Sequence, residues 1–208
     1  MKKILFYSLT TIVILYFVEQ VFMLPYLVKT LIKLPLFVIY PMMCLKKIKV
    51  RTSYKKTRIT ALFVFTVIIV AFLLFRGFID LDAIRYDMTH RMLIDKSLFV
   101  IAALYTVFIN SFAEEIFFRG FIFKGLLKYS KDLAYLISAL AFAVYHVAIF
   151  LTWFSLPIIL LILFGLFVGG LIFNYFVEET DSILASYLIH ITADLAIVLI
   201  GLHVLGFA

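Results

Sequence analysis

The chain has 208 residues, of which 66% are hydrophobic and only 15% charged, whereas soluble domains run at about half and about a quarter. The formal charge of +7 gathers at the ends of apolar runs, so it reads as a topology signal and gives no reason to expect a nucleic-acid partner. One cysteine, Cys44, excludes an internal disulfide and a cysteine-rich metal site.

A helical span needs about 20 mostly apolar residues to cross roughly 30 Å of hydrocarbon. The apolar runs are continuous and not alternating, which predicts helices. The fold class is therefore all-α, a polytopic transmembrane helical bundle of about seven spans, with six to eight as the bracket. The first run, about 4–24, follows Met1-Lys2-Lys3 like a signal peptide. No small-x-small cleavage site follows it, so an uncleaved span is expected. The second run, about 25–45, carries Lys29 and Lys33 four apart on one face. Two readings stand for it: a span, or an interfacial helix with snorkelling lysines. A basic loop follows at 46–58, then a span at about 60–79 and a charged connector at 80–96. Four more spans follow at about 97–123, 133–153, 156–177 and 183–207. Residues 1–96 thus form N-terminal membrane helices and a connector, and 97–208 a polar-studded helical bundle. Seven spans place Lys2, Lys3, the 46–58 loop, Lys124, Lys128 and Lys131 on one side, the cytoplasmic one. Trp153 and His203 read as interfacial residues, and Gly165, Gly169 and Gly170 as sites of close helix packing.

Ionisable groups at a helix centre cost about 2.5–3.5 kcal/mol for Asp, Lys or Arg. Spans four, five and seven nevertheless carry Glu114, Glu115, Arg119, His146, His190 and Asp194. Glu115 and Arg119 are spaced i,i+4 with the acid first, the favourable order for an ion pair. Glu114 points about 100° away, towards another helix. Counting about 1.5 Å per residue from the cytoplasmic boundary puts Glu114, His146 and His190 at roughly 15, 21 and 13 Å. That common level is what a shared site requires.

A glutamate in apolar surroundings suits general-base activation of water, and histidines suit proton transfer or oxyanion stabilisation. Two histidines and a glutamate also form a zinc ligand set. Ser111 lies one turn from Glu114 with no histidine on its own helix, so no serine or cysteine nucleophile is indicated.

Glu114-Glu115-Ile116-Phe117-Phe118-Arg119-Gly120 resembles the EExxxR motif of the CPBP intramembrane proteases. That group contains CAAX prenyl endopeptidases and bacteriocin-processing or self-immunity proteins. Phe142 to His146 resembles its FxxxH motif, and His190 to Asp194 its HxxxN motif with Asp in the last place. The resemblance covers about 97–207. It implies an intramembrane endopeptidase in which Glu114 activates water with His146 as partner. His190 and Asp194 would form the oxyanion site, and Glu115 with Arg119 a structural brace. An ionised carboxylate cannot donate a hydrogen bond, so Asp194 has three open roles: protonated donor, orienter of His190, or support for a metal. No tightly bound metal is expected; if one is used, Glu114, His146 and His190 are its candidates and zinc the ion. The expected partners are a peptide or membrane-protein substrate and the bilayer. Short loops point to a bacterial plasma membrane, with the site in the cytoplasmic half. A catalytically silent immunity or sensor-kinase-modulating scaffold is the second reading. A transporter or proton relay built on the same buried groups is the third.

Overall fold

The computed structural model describes residues 1–45, 52–94 and 96–206. Lys46, Lys47, Lys49 and Arg51 of the basic loop lie outside the described residues. Among the described residues there is no strand, and seven helices are long and apolar enough to cross a membrane. They are Lys2–Val21, Tyr26–Cys44, Tyr54–Phe78, Ser97–Leu127, Lys131–Phe150, Leu156–Thr180 and Leu184–Leu205, spans one to seven below. In hydrocarbon a helix satisfies its own backbone polar groups, which is why runs of this composition take that form.

The punctuation is local. Pro25 starts span two after a left-handed Met23. Asp80 caps the short connector helix Leu81–Tyr86, accepting from the Ala83 amide at 2.9 Å. Ser130 caps span five through the Leu133 amide. Asp181 ends span six in the left-handed conformation, which a short polar side chain tolerates.

Several helix ends differ from the hydropathy reading. Span three begins at Tyr54, so Lys55, Lys56 and Arg58 ride on its first turns. Span six runs on to Thr180 and takes up Glu178 and Glu179. These acids meet lysines from other elements: Lys131 to Glu178 at 2.8 Å, Lys124 to Asp181 at 2.6 Å, and Lys56 to Glu179. Exposed pairs of this kind add little stability, but they place all three lysine segments on one face.

Span two is a continuous run whose two lysines turn inward, against the snorkelling alternative. Lys29 pairs with Glu19 of span one, and Lys33 reaches span four. Both are buried, because each finds an acid within the bundle, where an unpaired ammonium would be expelled.

Span four is the centre. Its Glu115–Phe123 stretch winds as a π-helix and is buried on every side. Phe37 of span two stacks on Phe117 with centroids 4.3 Å apart. Phe142, Tyr145 and Phe173 extend this aromatic core into spans five and six. Spans five and six approach backbone to backbone at Gly170, where an added Cβ would lie 2.9 Å from Ala139 Cα. Gly165 and Gly169 meet nothing within 4 Å, so only one of the three glycines serves packing. Ser138 joins three spans, donating to the Phe118 carbonyl and contacting Asn174. Span three packs on span seven at the periphery, and its large apolar residues, Leu62, Phe63 and Leu74 among them, are exposed.

Candidate active site

Each of the six ionisable residues singled out above lies in one cluster, at the level where spans two, four, five and seven meet. Glu114 is at its centre, on the last turn before the π-helical stretch. Its Oε1 accepts from Lys33 Nζ at 2.7 Å and from Asn110 Nδ2 at 2.9 Å. Its Oε2 is buried and makes no hydrogen bond. That bare oxygen faces His146 Nε2 at 3.8 Å and His190 Nε2 at 3.6 Å. The two histidines, on different helices, therefore converge on a single carboxylate oxygen, as the depth argument required.

The tautomers follow from the partners. His146 Nδ1 lies 2.7 Å from the Phe142 carbonyl, which can only accept, so Nδ1 carries the proton. His190 Nδ1 lies 3.0 Å from Glu115 Oε1 and donates to that carboxylate. In both rings the bond on Nδ1 fixes the ring and presents Nε2 to Glu114, the arrangement in which a supporting acceptor orients a histidine.

Glu115 thus has two partners, His190 and Arg119. It orients His190 as well as lying 3.4 Å from Arg119 Nη1. Arg119 is fully buried, with its guanidinium against the rings of Phe142 at 4.2 Å and Phe173 at 4.7 Å. Cation–π contacts of this kind are strongest where water is excluded. Phe142 is accordingly a packing residue, with its edge also towards the His190 ring.

Asp194 sits one helical turn beyond His190, with Oδ2 3.8 Å from Nε2. Its hydrogen bond comes from elsewhere: Ser111 Oγ donates to Oδ2 at 2.6 Å. Of the three roles left open for Asp194, orientation of His190 belongs to Glu115 instead. Glu114 and His190 are almost sealed, whereas the side chains of His146 and Asp194 each keep 17% exposure. Access to the cluster is therefore from the side where those two residues lie.

Hydropathy missed Lys33 and Asn110 as neighbours of Glu114 and Ser111 as the partner of Asp194. Lys33 was visible as a charge in a span, but nothing in its own helix pairs with it. Asn110 and Ser111 are uncharged and carry little insertion cost, so they leave no trace against an apolar background.

Among the described residues no three His, Cys, Asp or Glu side chains are grouped to hold a metal ion. Next to Glu114, moreover, stands the Lys33 ammonium, a cation already balancing the carboxylate. Zinc would ask for three or four neutral or anionic donors about 2.0–2.3 Å from the ion, and the Lys33 ammonium competes with such an ion for Glu114.

Residues 96–196 match the family model described as Type II CAAX prenyl endopeptidase Rce1-like. This segment contains Glu114, Glu115, Arg119, His146, His190 and Asp194. No curated protein and no solved structure matches the chain.

Proposed function

We propose that this multi-pass membrane protein, whose residues 96–196 form an Rce1-like domain of the type II CAAX prenyl endopeptidases, hydrolyses a peptide bond within the bilayer without a metal. The observation that carries the reading is the bare Oε2 of Glu114, facing Nε2 of both His146 and His190. Separations of 3.6 and 3.8 Å are too long for direct hydrogen bonds and suit one water shared among the three groups.

In this mechanism a water lies between Glu114 Oε2 and His146 Nε2, giving one hydrogen bond to each. Glu114 removes a proton as the water oxygen attacks the substrate carbonyl carbon. The carbonyl π electrons move onto oxygen. With His190 in its imidazolium form, Nε2–H donates to that oxyanion, the term that usually contributes most to acyl-transfer catalysis. Collapse breaks the C–N bond, and the proton held by Glu114 passes to the departing amine. Products are a carboxylic acid and an amine, and Glu114 returns to its starting state. Two carboxylates face the His190 ring, Glu115 at Nδ1 and Glu114 at Nε2, and this suits an imidazolium there. The substrate is a peptide or membrane-anchored protein entering past His146 and Asp194.

Reconstituted protein is incubated with a panel of membrane-anchored peptides, prenylated and unmodified. Glu114→Gln and His146→Ala are expected to lower kcat about 10²–10⁴-fold, the range of general acid–base catalysis, and a chelator to leave the wild-type rate unchanged. Undiminished cleavage in both variants would sink the assignment, and loss of activity with chelator would reinstate a metal.

A further inference from the structure

The family match begins at residue 96, yet Glu114 takes a charged hydrogen bond from residue 33. We propose that Lys33 is a positioning residue for Glu114, fixing which carboxylate oxygen faces the reacting atoms and making span two part of the active site. This rests on the reading of Glu114 as the group that activates water.

A carboxylate has two equivalent oxygens and a soft terminal torsion. Here the equivalence is broken. Lys33 Nζ and Asn110 Nδ2 both donate to Oε1, so the carboxylate plane is held and Oε2 is turned towards the histidines. Lys33 is itself held. Its ammonium also donates to Asn110 Oδ1, and it lies 5.0 Å from the Phe37 centroid and 4.7 Å from that of Tyr145. Lys33, Asn110 and Glu114 close a ring of three hydrogen bonds between spans two and four. Lys33 is 8% exposed, so it contacts the site and not the headgroups a snorkelling lysine would reach. An ammonium this deep is stable only beside a negative charge, and Glu114 supplies it. In return, Lys33 is a counter-charge for Glu114 that comes from outside the matched domain.

The test uses the full-length protein and four variants: Lys33→Met, Lys33→Arg, Glu114→Gln and the Lys33→Met/Glu114→Gln double. For Lys33→Met the expectation is a kcat lower by about 100-fold, as for a misplaced reacting group, at unchanged KM. Lys33→Arg is expected to recover part of that loss, since it restores a cation but not the compact ammonium geometry. A folded Lys33→Met protein with wild-type kcat would overturn the proposal, as would an arginine variant no better than methionine. Thermal unfolding supplies a readout independent of turnover. Lys33→Met should lower the unfolding temperature by stranding the Glu114 charge, and adding Glu114→Gln should restore part of it. No restoration overturns the pairing. If the wild type cleaves no peptide, the peptidase reading fails, and this thermal cycle still decides whether Lys33 and Glu114 act as a pair.

Discussion

Asp194 is where the residue scale is most informative, because it departs from the amide of the resembled motif. Its Oδ2 accepts from Ser111 and lies within 3.8 Å of His190 Nε2, so the position combines an acceptor task with proximity to the reacting centre. An asparagine keeps the acceptor and adds a donor at the same place. Asp194→Asn is therefore expected to hold kcat within about tenfold of wild type. Asp194→Leu, which removes the polar group altogether, is expected to lower it about 10²–10³-fold, the cost of one lost electrostatic stabiliser. Peptide-cleavage kinetics on the two variants check this; equal loss in both would mean that the carboxylate charge itself is needed. The six charged or imidazole residues of the site were legible in the sequence because each is costly in a span. What linked them was less so. Glu115 read as a brace on Arg119 by its i,i+4 spacing, but its second partner, His190, lies 75 residues away. Lys33 read as an amphipathic lysine because its acid is 81 residues off, and no local pattern encodes a pair of that range.

At the scale of elements, hydropathy found seven spans because length and apolar content alone decide them. Their ends moved where charged residues continue a helix: Lys55 and Lys56 at the start of span three, Glu178 and Glu179 at the end of span six. The π-helical winding of Glu115–Phe123 was not legible, since it follows from how nine buried residues pack and not from their order. The glycines of span six show the same limit. Sequence treats Gly165, Gly169 and Gly170 alike, yet only Gly170 meets the backbone of another helix, at Ala139. A backbone neighbour cannot rotate away, so Gly170→Leu is expected to destabilise the bundle by about 1–3 kcal/mol, in the range of overpacked cores. Gly169→Leu, with nothing within 4 Å, is expected to stay within about 0.5 kcal/mol of wild type. Thermal unfolding in detergent separates the two; equal effects would refute the close approach of spans five and six.

For the whole molecule, the arrangement of charge points to a topology. Seven spans put the N- and C-terminal ends of the chain on opposite sides. One face then carries Lys2, Lys3, Lys55, Lys56, Arg58, Lys124, Lys128 and Lys131. On the other side, the sequence of the 80–96 connector sets Arg85, Arg91 and Lys96 against Asp80, Asp82, Asp87 and Asp95. The ion pairs of Lys56, Lys124 and Lys131 with the residue 178–181 turn tie three of these segments to one level, so a topology that separates them would break the packing. Positive charge favours the cytoplasmic side, and Glu114 lies ten residues from Lys124, at the basic end of its span. On this topology we predict that Glu114 lies in the cytoplasmic half. Cysteine labelling tests this directly. In a Cys44→Ser background, Asp82→Cys and Lys128→Cys occupy exposed positions on opposite faces. A membrane-impermeant maleimide is expected to label Asp82→Cys in intact cells and Lys128→Cys only after lysis. The reverse pattern would invert the bundle and place the Glu114 cluster near the outer leaflet, changing the class of substrate open to the proposed peptidase.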